Sequence, residues 1–232
     1  MLRRFLAYLV EHDDAVKSLI VMETGAPVSG FVLQAQVSGP LQQMESMLDL
    51  YMKLPEIEDN PLPLDERINP FGGFVQSLRH YVPVGVVAAI SAYNFPLHIS
   101  LWKVVTALAT GNCVVLRPSP LTPLSTLALS KAAVAAGLPA DVLHILAESG
   151  PEGAQLLTTA PPVDMVSFTG STGVGSIVAG QACRGCVHRG NRCVLSPRRS
   201  GLRAGSSNFC SGGRKRESLG RHDANHGLCQ NW

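Results

Sequence analysis

Apolar positions in the first 182 residues follow two patterns, a helical period and short unbroken runs. Leu2, Phe5, Leu6, Leu9, Val16, Leu19 and Ile20 recur at helical spacing with charges between them, which predicts one or two amphipathic helices over 2–24. Gly25 and Pro27 close that segment. Residues 34–53 predict another helix, with Met44, Met47, Leu48 and Tyr51 as core fillers. Residues 55–72, rich in Pro, Asn, Asp and Glu, read as an exposed loop, and 74–82 alternates as a strand. From Pro83 the pattern changes. Residues 84–90 form an uncharged run, the mark of a parallel strand buried on both faces. A tight connection over 91–96 leads to a helical stretch, 97–109, that ends at Gly111. A second buried run, 113–116, leads into Arg117 and the prolines Pro118 and Pro120. The unit is a strand–helix–strand crossover. Helices over 126–136 and 152–157, strands over 141–146 and 163–168, and a helix starting within 169–180 continue the alternation. The predicted fold class is α/β, a parallel sheet with flanking helices. Such sheets bind ligands beyond the carboxyl ends of their strands, where Asn94 and Arg117 fall.

Composition divides the chain in two. Hydrophobic residues at 46% and a mean hydropathy of +0.17 suit a globular core, and the net charge of +2 is unremarkable. Residues 1–182, however, hold 9 Lys/Arg against 15 Asp/Glu, a net of −6, while 183–232 hold 10 against 2, a net of +8. Five of the six cysteines also follow position 182. Cys113, in a buried run, is expected as a small core residue. No apolar run reaches the roughly 18–20 residues of a membrane span. The opening MLRRFLAYLV is cut off by Glu11, His12, Asp13 and Asp14, too early for a signal peptide, so a cytoplasmic setting without membrane partners is expected.

The segments PVGVVAAISAYNFPL and WKVVTALATGNCVVLRPSPLTPL, over 83–97 and 102–124, resemble the coenzyme-binding half of aldehyde dehydrogenases. VSFTGSTGVG, over 166–175, is similar to that family's FTGSTxxG element, in the same order and at about the same spacing. The likeness runs over roughly 1–182. It implies an incomplete Rossmann-like sheet in a partial NAD(P)-binding domain, with 67–82 as an arm for homo-oligomer formation or, read locally, a hairpin. It further implies NAD or NADP as cofactor, a small aldehyde as substrate, and coenzyme contacts from Ser91, Tyr93, Asn94, Arg117, Ser119, Pro120, Gly150, Phe168, Gly170 and Ser171. Thr169 to Gly173 place small residues at a strand-to-helix junction, where free N–H groups and the helix dipole suit a pyrophosphate. Arg117 stands where the family usually has a lysine, and Pro120 where it often has the glutamate that holds the ribose hydroxyls, which leaves NADP as open as NAD. Arg117 read alone is an exposed charge ending a strand, and Glu148 a solvated loop residue. Asn94 matches the family's oxyanion-stabilising asparagine, and Lys103 a lysine of structural support or proton relay. The chemistry also needs a thiolate nucleophile and a carboxylate base. No E-L-G-G-K type motif follows Phe168, and Cys229, flanked as HGLCQN, does not match the nucleophile motif. Both catalytic groups are therefore expected to be absent and the chain inactive; the alternative is a non-catalytic dinucleotide-binding remnant or a partner of full-length subunits.

The last segment, 183–232, is rich in Arg, Gly, Ser and Cys and lacks periodicity, so a disordered tail is expected. The pattern breaks in mid-helix after Gly180-Gln181-Ala182, as an altered reading frame would break it. A zinc site from Cys183, Cys186, His222 and His226 is disfavoured by the long gap between the pairs, so no metal is expected. Arg richness without interleaved aromatics gives no specific nucleic-acid partner.

Overall fold

The structure, a computed structural model, describes residues 1–63, 67, 73–187, 193–194 and 209–210, with side chains through Ala182. Helices α1 (Leu2–Glu11) and α2 (Asp13–Thr24) resolve the opening pattern into two, and Gly25 ends α2 in the left-handed conformation. Phe5, Leu6 and Leu9 of α1 are buried, each contributing about 2 kcal/mol over exposure. Next come a single turn α3 (Phe31–Leu33), a π-helical segment (Gln34–Ser38) and α4 (Gly39–Tyr51). That helical stretch starts three residues earlier than its sequence pattern suggests.

The expected loop over 55–72 contains a strand. β1 (Ile57–Asp59) pairs antiparallel with β2 (Leu78–His80), Ile57 opposite His80. Ile-Glu-Asp carries one apolar side chain and so shows no alternation of its own; pairing with β2 makes it a strand.

The core of the fold is a four-stranded, all-parallel sheet in the order β5-β4-β3-β6. It is built from β3 (Val86–Ile90), α5 (Pro96–Ala109), β4 (Cys113–Arg117), α6 (Leu124–Ala136), β5 (Leu143–Ile145), α7 (Glu152–Thr159), β6 (Met165–Phe168) and α8 (Thr172–Val187). Successive strands move outward from β3 to β5, and β6 then returns to the other side of β3. The strand order therefore reverses between β3 and β6. Alternate residues of β3 serve opposite faces. Val87 and Ala89 join Leu97, Leu101, Val104 and Leu108 of α5, and α1, α2 and α4 pack outside α5 and α6. Ala88 and Ile90 join Val166 and Phe168 of β6, Leu157 of α7 and Val178 of α8 on the other face.

Two polar side chains tie down the amino ends of the strands. Buried Asn112 accepts the N–H groups of Val84 (2.7 Å) and Gly85 (3.0 Å) on Oδ1 and donates from Nδ2 to the Ala107 carbonyl (3.1 Å). Asp164 accepts the Val86 N–H at 2.9 Å. Gly85, at φ 123°, lies against that carboxylate; a β-carbon there would sit 2.1 Å from Asp164 Oδ2. The conformation explains why β3 begins at Val86 although the apolar run begins at Val84.

A longer-range cap joins the helical layer to the sheet layer. The Glu23 carboxylate, at the end of α2, accepts the N–H groups of Leu124 (2.6 Å) and Ser125 (3.2 Å) and the Ser125 hydroxyl, closing the N-terminus of α6. Cys113 is buried at the start of β4, as a core residue should be, and is also disulfide-bonded.

A small part of the segment from 183, where a disordered tail is expected, falls within the described residues. α8 runs on to Val187, since each added residue extends an existing ladder, and β7 (Cys193–Val194) pairs antiparallel with β8 (Phe209–Cys210). The rest of that expectation, with most of the zinc reading, lies outside the described residues, as do 68–72 of the arm.

Candidate functional site

The carboxyl ends of β3, β4 and β6 bring together most of the residues singled out in the sequence. After β3, the Ser91 N–H continues the sheet by donating to the Arg117 carbonyl at 3.0 Å. The Ser91 hydroxyl is buried and meets Ser100 Oγ at 3.0 Å, which meets Thr126 Oγ1 at 3.3 Å. This hydroxyl chain pins the strand end to α5 and α6, so Ser91 acts from inside the fold. Tyr93 and Asn94 follow on an exposed bend, steadied by a bond from Thr122 Oγ1 to the Tyr93 carbonyl (3.2 Å). Pro96 then starts α5 with its fixed φ. The Asn94 amide is thus a neutral donor presented at the mouth of the sheet.

After β6, Ser171 stands exposed just before α8, and its Oγ accepts the Val174 N–H at 3.4 Å, a long capping bond. Gly173, in the first turn, is exposed, and a β-carbon there would meet nothing within 4 Å. Gly170 is glycine for a different reason. A β-carbon there would come 2.5 Å from the buried Phe168 ring, so its absence makes room for that ring under the turn. The start of α8 is therefore an uncluttered helix N-terminus with a hydroxyl beside it.

Arg117 departs from the reading of it as an exposed charge ending a strand. It is buried rather than an exposed strand-end charge, and its guanidinium is engaged within the chain. Nε donates to Glu148 Oε1 and NH2 to the Gly150 carbonyl, each at 2.7 Å. Glu148 is correspondingly no solvated loop residue. Its side chain is 14% exposed, and it also accepts the Gly153 and Ala154 N–H groups at the start of α7. Burial alone would raise the Glu148 carboxyl. The hydrogen bonds from Arg117, Gly153 and Ala154, with the Arg117 charge, outweigh that and hold it below its ordinary value. Ser119 is buried in the turn after β4, accepting the Leu121 N–H on Oγ at 3.3 Å, while Pro120 is exposed.

Lys103 is half-buried on the side of α5 turned toward β6. Its Nζ donates to Ser167 Oγ of β6 at 2.7 Å, and burial pushes the amine down to about 7. Ser100, Thr126 and Ser167 were not legible as partners, because each is an ordinary polar residue until the fold brings it to its neighbour.

Among the described residues no helix is long and apolar enough to cross a membrane, and no three His, Cys, Asp or Glu gather as a metal site. The fold is of the class that takes a ligand where the strand order of a parallel sheet reverses, with α8 opening on that point. The aldehyde dehydrogenase family model matches residues 1–195, past the Ala182 limit read from the sequence, and the chain belongs to that family. Its members are oxidoreductases. Solved structures agree with the match. An E. coli NADP-dependent enzyme is 29% identical, with a TM-score of 0.69 over 84% of this chain and 38% of its own. The NAD+ complex of an aldehyde dehydrogenase from Bacillus cereus is 27% identical, at 0.72 over 84% and 36%. A mutant of aldehyde dehydrogenase C from Pseudomonas syringae, complexed with NAD+ and octanal, is 28% identical, at 0.71 over 84% and 36%. The chain thus spans less than two-fifths of the length of these relatives.

Proposed function

We propose that this chain is a coenzyme-binding unit of an NAD(P)-dependent aldehyde dehydrogenase and binds the coenzyme without turning over aldehyde by itself. The observation that carries the reading is the open start of α8, with Ser171 and Gly173, placed next to the β3 end that presents Asn94. The residues fit a dinucleotide at its phosphates. Free N–H groups at a helix start favour an anion, the Ser171 hydroxyl can donate to a phosphate oxygen, and Gly173 leaves space for close approach. A bound nicotinamide coenzyme supplies the acceptor for hydride. Asn94 holds a neutral donor where a carbonyl oxygen would gain negative charge. Ser91, through its hydroxyl chain, and Ser119, through its turn, position the strand ends.

Arg117, already paired with Glu148, supports the ribose and adenine side by fixing the loop at Gly150 rather than by offering a free cation. With Pro120 in place of a carboxylate, no acidic side chain at that position repels a 2′-phosphate, so NADP stands beside NAD. Residues 1–182 form the coenzyme unit in this reading, and 183–232 a separate segment, in a cytoplasmic setting. The lack of turnover rests on the missing nucleophile and base motifs in the sequence. A second reading, an interaction partner for full-length subunits, is favoured by the outward apolar side chains of the hairpin, Phe74 (93% exposed), Leu78 and Val82.

Calorimetry with NAD+ and NADP+ on the whole chain tests the first reading. Saturable binding is expected, weakened about tenfold by Ser171→Ala, the loss of one hydrogen bond to a charged group. An absence of binding in the parent chain sinks the coenzyme reading, and aldehyde-dependent NAD(P)H formation by the chain alone overturns the claim of no turnover.

A further inference from the structure

The connection from β5 to α7 gathers two carboxylates around the Arg117 guanidinium. Glu148 accepts Arg117 Nε at 2.7 Å and the N–H groups of Gly153 (2.5 Å) and Ala154 (3.1 Å) at the start of α7. Arg117 NH2 is held in turn by the Gly150 carbonyl. The seat is shaped for this acid: a β-carbon on Gly153 would come 2.5 Å from Glu148 Oε2 and 2.8 Å from the Leu146 side chain. Glu152, exposed in the first turn of α7, lays its own carboxylate against Gly150, where a β-carbon would collide with it. Arg117 at +1 against Glu148 and Glu152 at −1 each leaves this cluster a net of −1.

The cluster uses up the groups that an extra phosphate would need. A guanidinium beside the ribose is what accommodates the 2′-phosphate of NADP, and N–H groups at a helix start favour an anion. Here the chain's own carboxylate occupies both, in a charge-assisted pair whose side chains are 11% and 14% exposed. Drawing Arg117 away to a phosphate would leave Glu148 largely buried without its cation, with the negative charge of Glu152 close by. The 2′-hydroxyl of NAD carries no charge and makes no such demand.

We propose that Glu148, by holding Arg117 with Glu152 beside it, makes this chain select NAD over NADP. The inference rests on the coenzyme reading, which sets the ribose and adenine side at Arg117. Pro120 leaves the choice of coenzyme open at the end of β4, and Glu148 closes it from the neighbouring connection. Glu148 is a specificity-determining residue in this role: both of its oxygens are taken by the chain, so it acts by occupying Arg117 and not by holding the ribose hydroxyls.

Calorimetry at low salt with NAD+ and NADP+ tests it, on the whole chain and on its Glu148→Gln and Glu152→Gln variants. The parent should bind NAD+ at least about tenfold more tightly than NADP+, because like charges oppose the second ligand. Glu148→Gln keeps the shape of the side chain but releases the guanidinium from its ion pair, and should move the affinity ratio about tenfold toward NADP+. Glu152→Gln removes an exposed, screened charge and should move the ratio about threefold in the same direction. Equal affinities in the parent overturn the proposal and leave the coenzyme reading standing, whereas binding of neither coenzyme removes both. A ratio unchanged by Glu148→Gln also overturns it. If that variant binds neither coenzyme, as an unfolded chain would, a ratio unchanged by the surface variant Glu152→Gln decides against the proposal.

Discussion

The two ends of the parallel sheet are built on opposite principles. At the amino ends, polar backbone groups are met by buried or packed side chains: Asn112 serves two N–H groups and a carbonyl, and Asp164 a third N–H. At the carboxyl ends, Tyr93, Asn94, Ser171 and Gly173 face solvent, and the capping bond at Ser171 is long. One end is closed by the chain itself. The other is left for something else to close. Substitutions at the first should therefore cost stability, and substitutions at the second should cost binding.

The sharpest break should come at Gly85. Gly85→Ala puts a β-carbon into the Asp164 carboxylate at a φ that L residues avoid, and should destabilise by about 2–4 kcal/mol in denaturant unfolding. Wild-type stability in that variant would mean the amino end is not closed as described.

Between the two ends lies Lys103. Its folded pKa of about 7 is below its unfolded value, so the unfolded chain binds more protons in the interval between them. Stability should rise with pH from about 7 toward 10, with a slope of up to about 1.4 kcal/mol per pH unit from this group. Lys103→Met should flatten that part of the profile; an unchanged slope would show that the amine is not held neutral.

Glu148 carries the opposite assignment at the carboxyl end of β4. Its folded pKa is depressed, so its stabilisation is present above the unfolded carboxyl value near 4.3 and is lost as pH falls through the folded one. Glu148→Gln should cost about 1–2 kcal/mol at pH 7 and progressively less in acid. A cost independent of pH would assign the effect to packing rather than to the ion pair with Arg117.

The smallest stability effect is expected at Ser171. Ser171→Ala should change unfolding by less than about 1 kcal/mol, since its capping bond is weak, in contrast to the tenfold loss of coenzyme affinity proposed for it. A stability loss as large as that of Gly85→Ala would erase the contrast between the ends.

The alternation from β3 to α8 was legible because buried strands and amphipathic helices leave their period in the sequence. The ends of elements were less so where one residue overrides the period, as Gly85 does at β3. β1 was hidden because Ile57–Asp59 has no alternation, and only its pairing with Leu78–His80 makes it a strand. Asn94, Ser171 and Lys103 could be singled out by type and place. Their partners could not. Arg117 with Glu148, Lys103 with Ser167, and Ser91 with Ser100 and Thr126 are joined by folding alone, across 9 to 64 residues.

The Glu23 cap on α6 has a bearing on how the molecule is assembled. Glu23 and the two N–H groups it accepts are 101 and 102 residues apart, so the carboxylate leaves the ribosome long before its partners do. During synthesis at roughly 5–20 residues per second, α1 and α2 would wait on the order of ten seconds for α6 to appear. During that interval α4 and the π-helical segment can already cover part of their apolar faces, and the part that meets α6 stays open. The final association of this N-terminal pair with α6 closes a long loop and belongs among the late, topology-limited events of folding. A chaperone that shields the first two dozen residues would be of most use in that interval.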